Sequence, residues 1–146
     1  MNYHRDGDPV DVLLVEDNPG DVHLTRMAFE DGHVNNDLHV VRDGEAALDY
    51  LFQRGEYADA TRPDIVLLDL NLPRVDGHQV LETIRADDEL TRLPVIILTG
   101  SESEEDVVRS YKLNSNAYIT KPVQASQFLE AVKTFEKFWF TVVRLP

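Results

Sequence analysis

Residues suited to metal and phosphoryl chemistry lie where apolar runs of the sequence end. Five of them share this position, directly after or at the end of such a run: Glu16, Asp17, Asp69, Thr99 and Lys121. Because the carboxyl ends of parallel strands meet at one edge of a sheet, where open α/β sheets bind ligands, we expect these side chains to converge. One such acid is usually a helix cap or solvated, but five converging positions favour a site.

Three of the five residues are acids that would face each other in this crevice. Glu16, Asp17 and Asp69 would raise one another's pKa and destabilise the fold unless a cation or protons neutralised them. An all-oxygen donor set suits a hard divalent cation, Mg²⁺ first and Mn²⁺ as the alternative. The sequence therefore predicts a divalent-cation site.

A carboxylate beside such a cation can act as a nucleophile toward phosphorus. Asp69 could attack a phosphoryl group while the cation and Lys121 neutralise its oxygens, giving an acyl phosphate on Asp69. The Thr99 hydroxyl could donate a hydrogen bond to a phosphoryl oxygen, and the small Gly100 leaves space for that group. The pattern thus indicates phosphoryl transfer to a carboxylate.

Short solid apolar runs alternate with stretches of helical period, and this alternation predicts repeated βα units. Strands apolar on both faces are typical of a parallel sheet covered by helices on both sides. We expect a doubly wound (βα)5 α/β fold, a flavodoxin-like three-layer sandwich with strand order 2-1-3-4-5. The predicted strands are 10–15, 38–41, 65–70, 95–98 and 117–119; the predicted helices are 21–30, 45–52, 78–85, 104–113 and a fifth that begins near Ala125.

The C-terminal segment carries more aromatic residues than one helix face needs. In the fifth predicted helix a stripe of apolar residues runs from Phe128 to Val142, and Phe138 and Phe140 lie off that stripe. The rings either cover the domain's own core or leave an apolar surface for a partner. The candidate interface residues are Phe135, Phe138, Trp139 and Phe140.

Length and composition restrict the possible classes of protein. A chain of 146 residues has room for one domain, which we place at 10–146 after an N-terminal extension at 1–9. A net charge of −13 disfavours nucleic acid and anionic membrane surfaces as partners. The chain has no Cys, its five His lack metal-ligand spacing, and no secretory signal is evident, so we expect a cytoplasmic protein without a zinc site.

Four motifs occur in a characteristic order: EDNPGD at 16–21, DLNLPRVDG at 69–77, LTG at 98–100 and YITKP at 118–122. Thr99 lies 30 residues after Asp69, and Lys121 lies 22 residues after Thr99. In order and spacing these motifs resemble the response-regulator receiver domains of two-component signal transduction. The resemblance covers nearly the whole chain.

This resemblance implies a role for each motif residue. Asp69 would be the phosphoacceptor, Glu16 and Asp17 would hold Mg²⁺ together with Asp69 and the backbone carbonyl of Asn71, and Lys121 would contact the phosphoryl group. The resemblance also implies a switch pair formed by Thr99 and Tyr118, a cis bond between Lys121 and Pro122, and signalling through the surface of helix 4, strand 5 and helix 5.

A narrower resemblance rests on the EDNPGD opening, on a polar connection at 53–62 for which a solvated loop is the default expectation, and on the aromatic tail at 135–146. These features are similar to single-domain regulators associated with phytochrome-type histidine kinases. The implied partners are a sensor histidine kinase or a phosphotransfer protein, a downstream protein target, and a second copy of the chain. Such a protein is a phosphoacceptor that takes part in its own phosphorylation and dephosphorylation, and not an enzyme with a separate substrate.

Other functions of the same fold remain open at this point. A flavodoxin-like ligand-binding module would need phosphate-binding hydroxyls and amides after strand 1, where Glu16 and Asp17 offer repulsion. An aspartyl phosphatase would need a second carboxylate two residues after Asp69, where Asn71 stands. A receiver-fold docking protein without phosphotransfer is the third alternative.

Overall fold

The computed structural model describes residues 9–100 and 117–132, without the side chains of Thr99 and Val132. The predicted fourth helix at 104–113 and the aromatic residues from Phe135 onward lie outside the described residues. Five strands form one parallel sheet in the order β2-β1-β3-β4-β5, as expected. The strands are β1 (Val10–Val15), β2 (Asn36–Val41), β3 (Ile65–Asp69), β4 (Val95–Thr99) and β5 (Ala117–Thr120).

The described helices connect and cover these strands. They are α1 (Pro19–Asp31), α2 (Gly44–Leu51), α3 (Gly77–Ala86) and α4 (Ala125–Val132), the last of which corresponds to the fifth predicted helix. Three of them begin at a side chain that accepts a hydrogen bond from the first turn: Asn18 for α1, Asp43 for α2 and Asp76 for α3. Within the described residues, no helix is both long and apolar enough to cross a membrane.

The sheet separates two apolar cores, because successive side chains of a strand point to opposite faces. On one face Val12 and Leu14 pack in a cluster with Phe29 of α1 and Phe128 of α4, whose rings are 4.6 Å apart between centroids. On the other face, Leu13 and its neighbours form the second cluster with residues of α2 and α3. This alternation confirms the three-layer sandwich.

Three segments differ from expectation in extent or character, one of which is α1, which begins at Pro19, two residues before its predicted start. Strand β2 begins at Asn36, two residues before the predicted start, because pairing with β1 extends over polar positions that carry no hydrophobic signal. The 53–62 connection is not simply solvated. It contains a 3-10 turn at Gly55–Tyr57, and the Tyr57 ring lies 5.3 Å from that of Tyr50, which is buried.

Two glycines allow the backbone after β3 to pack closely against its neighbours. A Cβ atom at Gly77 would lie 2.4 Å from the carbonyl oxygen of Asp69, and one at Gly44 would lie 1.9 Å from that of Val75. No side chain fits at these distances. The starts of α3 and α2 are therefore held directly against the segment that follows Asp69.

Candidate functional site

The strand register brings the predicted site residues to one edge of the sheet. Val15 pairs with Leu68, so that the next residues along the two strands, Glu16 and Asp69, lie side by side. Thr99 pairs with Thr120, which places Lys121 just beyond the end of β5. The crevice predicted at the carboxyl ends of the strands is therefore formed by the ends of four adjacent strands, β1, β3, β4 and β5.

The Lys121 ammonium is the centre of this crevice. Its Nζ donates hydrogen bonds to Glu16 Oε1 at 2.8 Å, to Asp69 Oδ2 at 2.9 Å and to Asp21 Oδ2 at 3.0 Å. Glu16 and Asp69 are buried, with side chains only 1% and 3% exposed. Charge-assisted bonds of this kind are short and strong, and they satisfy acids that could not otherwise stay ionised in the interior.

Burial and the bonds between opposite charges have opposing effects on the pKa of Lys121 and on the pKa of Glu16. For Lys121, burial alone lowers the pKa, but its hydrogen bonds to the three carboxylates outweigh that effect and raise the pKa above its ordinary value. For Glu16, burial is the largest cause and Asp69 adds to it, so that the pKa rises to about 7 although the Lys121 bond opposes the change. Lys121 therefore keeps its positive charge, whereas Glu16 is the group of this network that can take up a proton.

Three carboxylates form a group that could hold a cation. Oxygen atoms of Glu16, Asp17 and Asp69 all lie within 4.8 Å of one another, and Asp17 is exposed on the open side. The remaining oxygens of the two buried acids accept backbone N–H bonds, Glu16 Oε2 from Asn18 and Asp69 Oδ1 from Asn71. The donors are all oxygens, so the residues fit a hard divalent cation.

The other predicted site residues lie on or next to strands β4 and β5. Thr99 ends β4, and an added Cβ at the exposed Gly100 would meet no atom within 4 Å. Tyr118 lies on β5 with 45% of its surface exposed. The bond between Lys121 and Pro122 is cis.

Asp21 is a residue of the site that sequence reasoning missed. It lies in the first turn of α1, where its backbone N–H donates to the Asn18 side chain and its carboxylate reaches Lys121. The available signal was its place in EDNPGD, at the start of a helix that directly follows β1. An acid at that place usually serves the helix N-terminus, and nothing in the spacing shows that it shares a distant lysine.

The arrangement can perform one kind of chemistry well. A buried carboxylate, Asp69, faces a fixed ammonium and adjoins two further acids that could hold a cation with it. Incoming negative charge would otherwise be repelled by these acids. The site is thus suited to accept an anionic electrophile at Asp69, which is the requirement for phosphoryl transfer to a carboxylate.

The profile of one protein family, described as "Response regulator receiver domain", matches residues 12–133. Among curated proteins, the chain is 41% identical over 138 residues to the response regulator Rcp1 of Synechocystis sp., covering 94% of each chain. The Mn²⁺-bound form of Rcp1 superposes with a TM-score of 0.75 at 41% identity, covering 94% of this chain and 99% of that one.

Two further solved structures are similar over most of their length. The bacteriophytochrome response regulator AtBRR has a TM-score of 0.82 at 46% identity, covering 90% of this chain and 96% of its own. The phosphorylated cyanobacterial phytochrome response regulator RcpA has a TM-score of 0.75 at 46% identity, covering 91% and 95%. The relatives thus include a metal-bound form, a phosphorylated form and regulators named for phytochromes.

The raised pKa of Glu16 leads to a pH-dependent stability. A carboxyl whose pKa is higher in the folded protein than in the unfolded chain makes its full contribution to the free energy of unfolding below the unfolded pKa, 4.5. This contribution is lost as the pH rises to about 7. Glu16→Gln cannot ionise. We therefore expect the free energy of unfolding of the variant, minus that of the wild type, to increase by about 2 kcal/mol between about pH 5 and about pH 8.

Urea unfolding with EDTA present measures this difference at each pH. The matched control is Glu82→Gln, which removes an exposed acid of α3. A difference between Glu16→Gln and wild type that stays constant across the range would show that Glu16 is ionised throughout.

Proposed function

The chain belongs to the response-regulator receiver domain family, and from this premise we propose that it accepts a phosphoryl group on Asp69 from a sensor histidine kinase or a phosphotransfer protein. Members of this family are signalling proteins of two-component systems. The donor we propose is a phytochrome-type kinase, because regulators named for phytochromes are similar over nine-tenths of this chain.

The observation that carries the proposal is the Lys121 to Asp69 contact of 2.9 Å beside the carboxylate group. An Asp69 oxygen attacks phosphorus, a P–O bond forms, and the P–N bond to the donor histidine breaks, with its electron pair remaining on the imidazole. Lys121 balances the charge of the phosphoryl oxygens, while the packing of Gly77 against the Asp69 carbonyl keeps the acceptor in place.

The metal that we propose is Mg²⁺, with Mn²⁺ as a substitute. Glu16, Asp17, Asp69 and the backbone carbonyl of Asn71 would hold it, and the all-oxygen carboxylate group fits this role. When bound, the cation supplies charge neutralisation for the phosphoryl oxygens. Asp17 is the exposed member, so it would face the side from which a cation enters.

The output that we propose is a change of interaction surface. The Thr99 hydroxyl can gain a bond to a phosphoryl oxygen, with space beside Gly100, only in the phosphorylated state. Tyr118 is the proposed partner in this switch, and its ring is exposed on β5 before any such change. The surface comprises β5, α4 and the predicted helix at 104–113, and the target is a downstream protein or a second copy of the chain.

Asp69→Asn should abolish phosphorylation. An amide in place of the carboxylate cannot form the acyl phosphate. Incubation with acetyl phosphate and Mg²⁺, followed by intact mass measurement, should show one added phosphoryl group in the wild type and none in the variant. Asp64→Asn is the control, because this acid directly precedes β3, on the opposite side of the strand's length from Asp69. Full phosphorylation of Asp69→Asn would reject the assignment.

Asp17→Ala should lose most of the stabilisation by divalent cations. The substitution removes a ligand and leaves Lys121 with its own partners, none of which is Asp17. Thermal midpoints with and without Mg²⁺ or Mn²⁺ measure the effect. Asp37→Ala, which removes an exposed acid at the start of β2, should respond as the wild type does. Equal responses of wild type and Asp17→Ala would refute the ligand assignment.

Phosphorylation should promote self-association if the aromatic C-terminal residues form the output surface. Sedimentation velocity with acetyl phosphate and Mg²⁺ should show a dimer for the wild type, and Phe138→Ala should weaken it by about tenfold or more. Leu24→Ala is the control, because Leu24 is an exposed apolar residue of α1 outside this surface. A monomer in both states would reject the homodimer and leave a heterologous target.

A further inference from the structure

The hydrogen-bonding capacity of Lys121 is fully used. An ammonium group has three N–H donors, and Glu16, Asp69 and Asp21 each accept one of them. A phosphoryl oxygen that is to be bound by Lys121 must therefore replace one of these acceptors. Which acceptor the phosphoryl oxygen replaces depends on how much free energy each carboxylate loses when it gives up its bond to Lys121.

The three acceptors differ in their access to water. Glu16 is 1% exposed, so its loss of Lys121 would leave a buried charge without its cation. Asp69 is the reacting group itself. The side chain of Asp21 is 30% exposed, so water can hydrate the carboxylate once the ammonium has turned away. Of the three acceptors, Asp21 is therefore the one whose replacement by a phosphoryl oxygen costs the least free energy.

The position of Asp21 does not depend on its carboxylate. Its backbone N–H donates to Asn18 Oδ1 at 3.1 Å, and its carbonyl accepts from the Thr25 hydroxyl at 2.9 Å. Lys121 likewise keeps two buried acceptors when Asp21 is removed. Loss of this one carboxylate therefore leaves both the helix turn and the lysine in place.

We propose that Asp21 is a positioning residue that competes with the phosphoryl group for Lys121 and thereby limits phosphorylation of Asp69. The proposal rests on the proposed function. Asp21 acts in two ways: it occupies a donor that the phosphoryl oxygens need, and it adds a negative charge near the incoming dianion. It is outside the group of carboxylates suited to hold the cation, so its effect is separate from metal binding.

The test uses two variants of the full chain: Asp21→Asn, which removes the charge but keeps an acceptor oxygen, and Asp21→Ala, which removes both. Each is incubated with Mg²⁺ and a series of acetyl phosphate concentrations, and intact mass is followed over time. As an Asp69 oxygen bonds to phosphorus, the P–O bond of the donor breaks and acetate leaves. We expect the rate constant and the phosphorylated fraction at low donor concentration to rise about two- to fivefold, the factor that a partly exposed ion pair represents.

Three further measurements separate competition from other effects. Glu30→Gln removes an exposed acid from the same helix and should leave the rate unchanged. Asp21→Glu restores a carboxylate and should return the rate toward that of the wild type. The shift of the thermal midpoint by Mn²⁺ should be the same in Asp21→Asn and wild type, since Asp21 is not a ligand.

The outcomes are distinct. An unchanged or slower rate in Asp21→Ala, an equal rise in Glu30→Gln, or loss of the Mn²⁺ response in Asp21→Asn would each overturn the proposal. A wild type that is not phosphorylated, or a phosphorylated Asp69→Asn, would instead overturn the proposed function.

Discussion

Four carboxylates lie close together at the carboxyl end of the sheet, and the Lys121 ammonium reduces the repulsion between them. It bonds to three of them at once, two of which are buried. Without this cation the acids would have to take up protons or separate, because ionised groups in the interior need a partner. The carboxylates still repel one another, and a divalent cation would reduce this repulsion further.

The scaffold holds this charged group in place by packing on both sides of it. The two apolar cores fix β1 and β3 between two layers of helices, so that Glu16 and Asp69 cannot move apart. The backbone after Asp69 is held by Gly77 and Gly44 at distances that exclude a side chain. Rigid elements thus carry the acids, while the more exposed residues Asp17 and Asp21 occupy the open side.

Much of this could be predicted from sequence, because solid apolar runs reveal buried parallel strands and the residues that end them must share an edge. The parallel sheet follows from that pattern, and the convergence of Glu16, Asp69 and Lys121 follows once the common doubly wound strand order is assumed. The start of β2 could not be predicted, since its polar residues pair through the backbone. The bond from Asp21 to Lys121 was also hidden, because spacing along a chain does not show which of several acids a lysine reaches.

The separation of these partners along the chain also governs when the site can exist. Lys121 is 105 residues from Glu16, 100 from Asp21 and 52 from Asp69. During synthesis, these three acids therefore precede the Lys121 ammonium that bonds to them in the folded protein. Until β5 is synthesised and pairs with β4, Glu16, Asp21 and Asp69 lack the ammonium to which they bond in the folded protein. The charge network thus depends on the last of the five described strands to be synthesised, so it can form only after β1 to β5 are all present in the sheet.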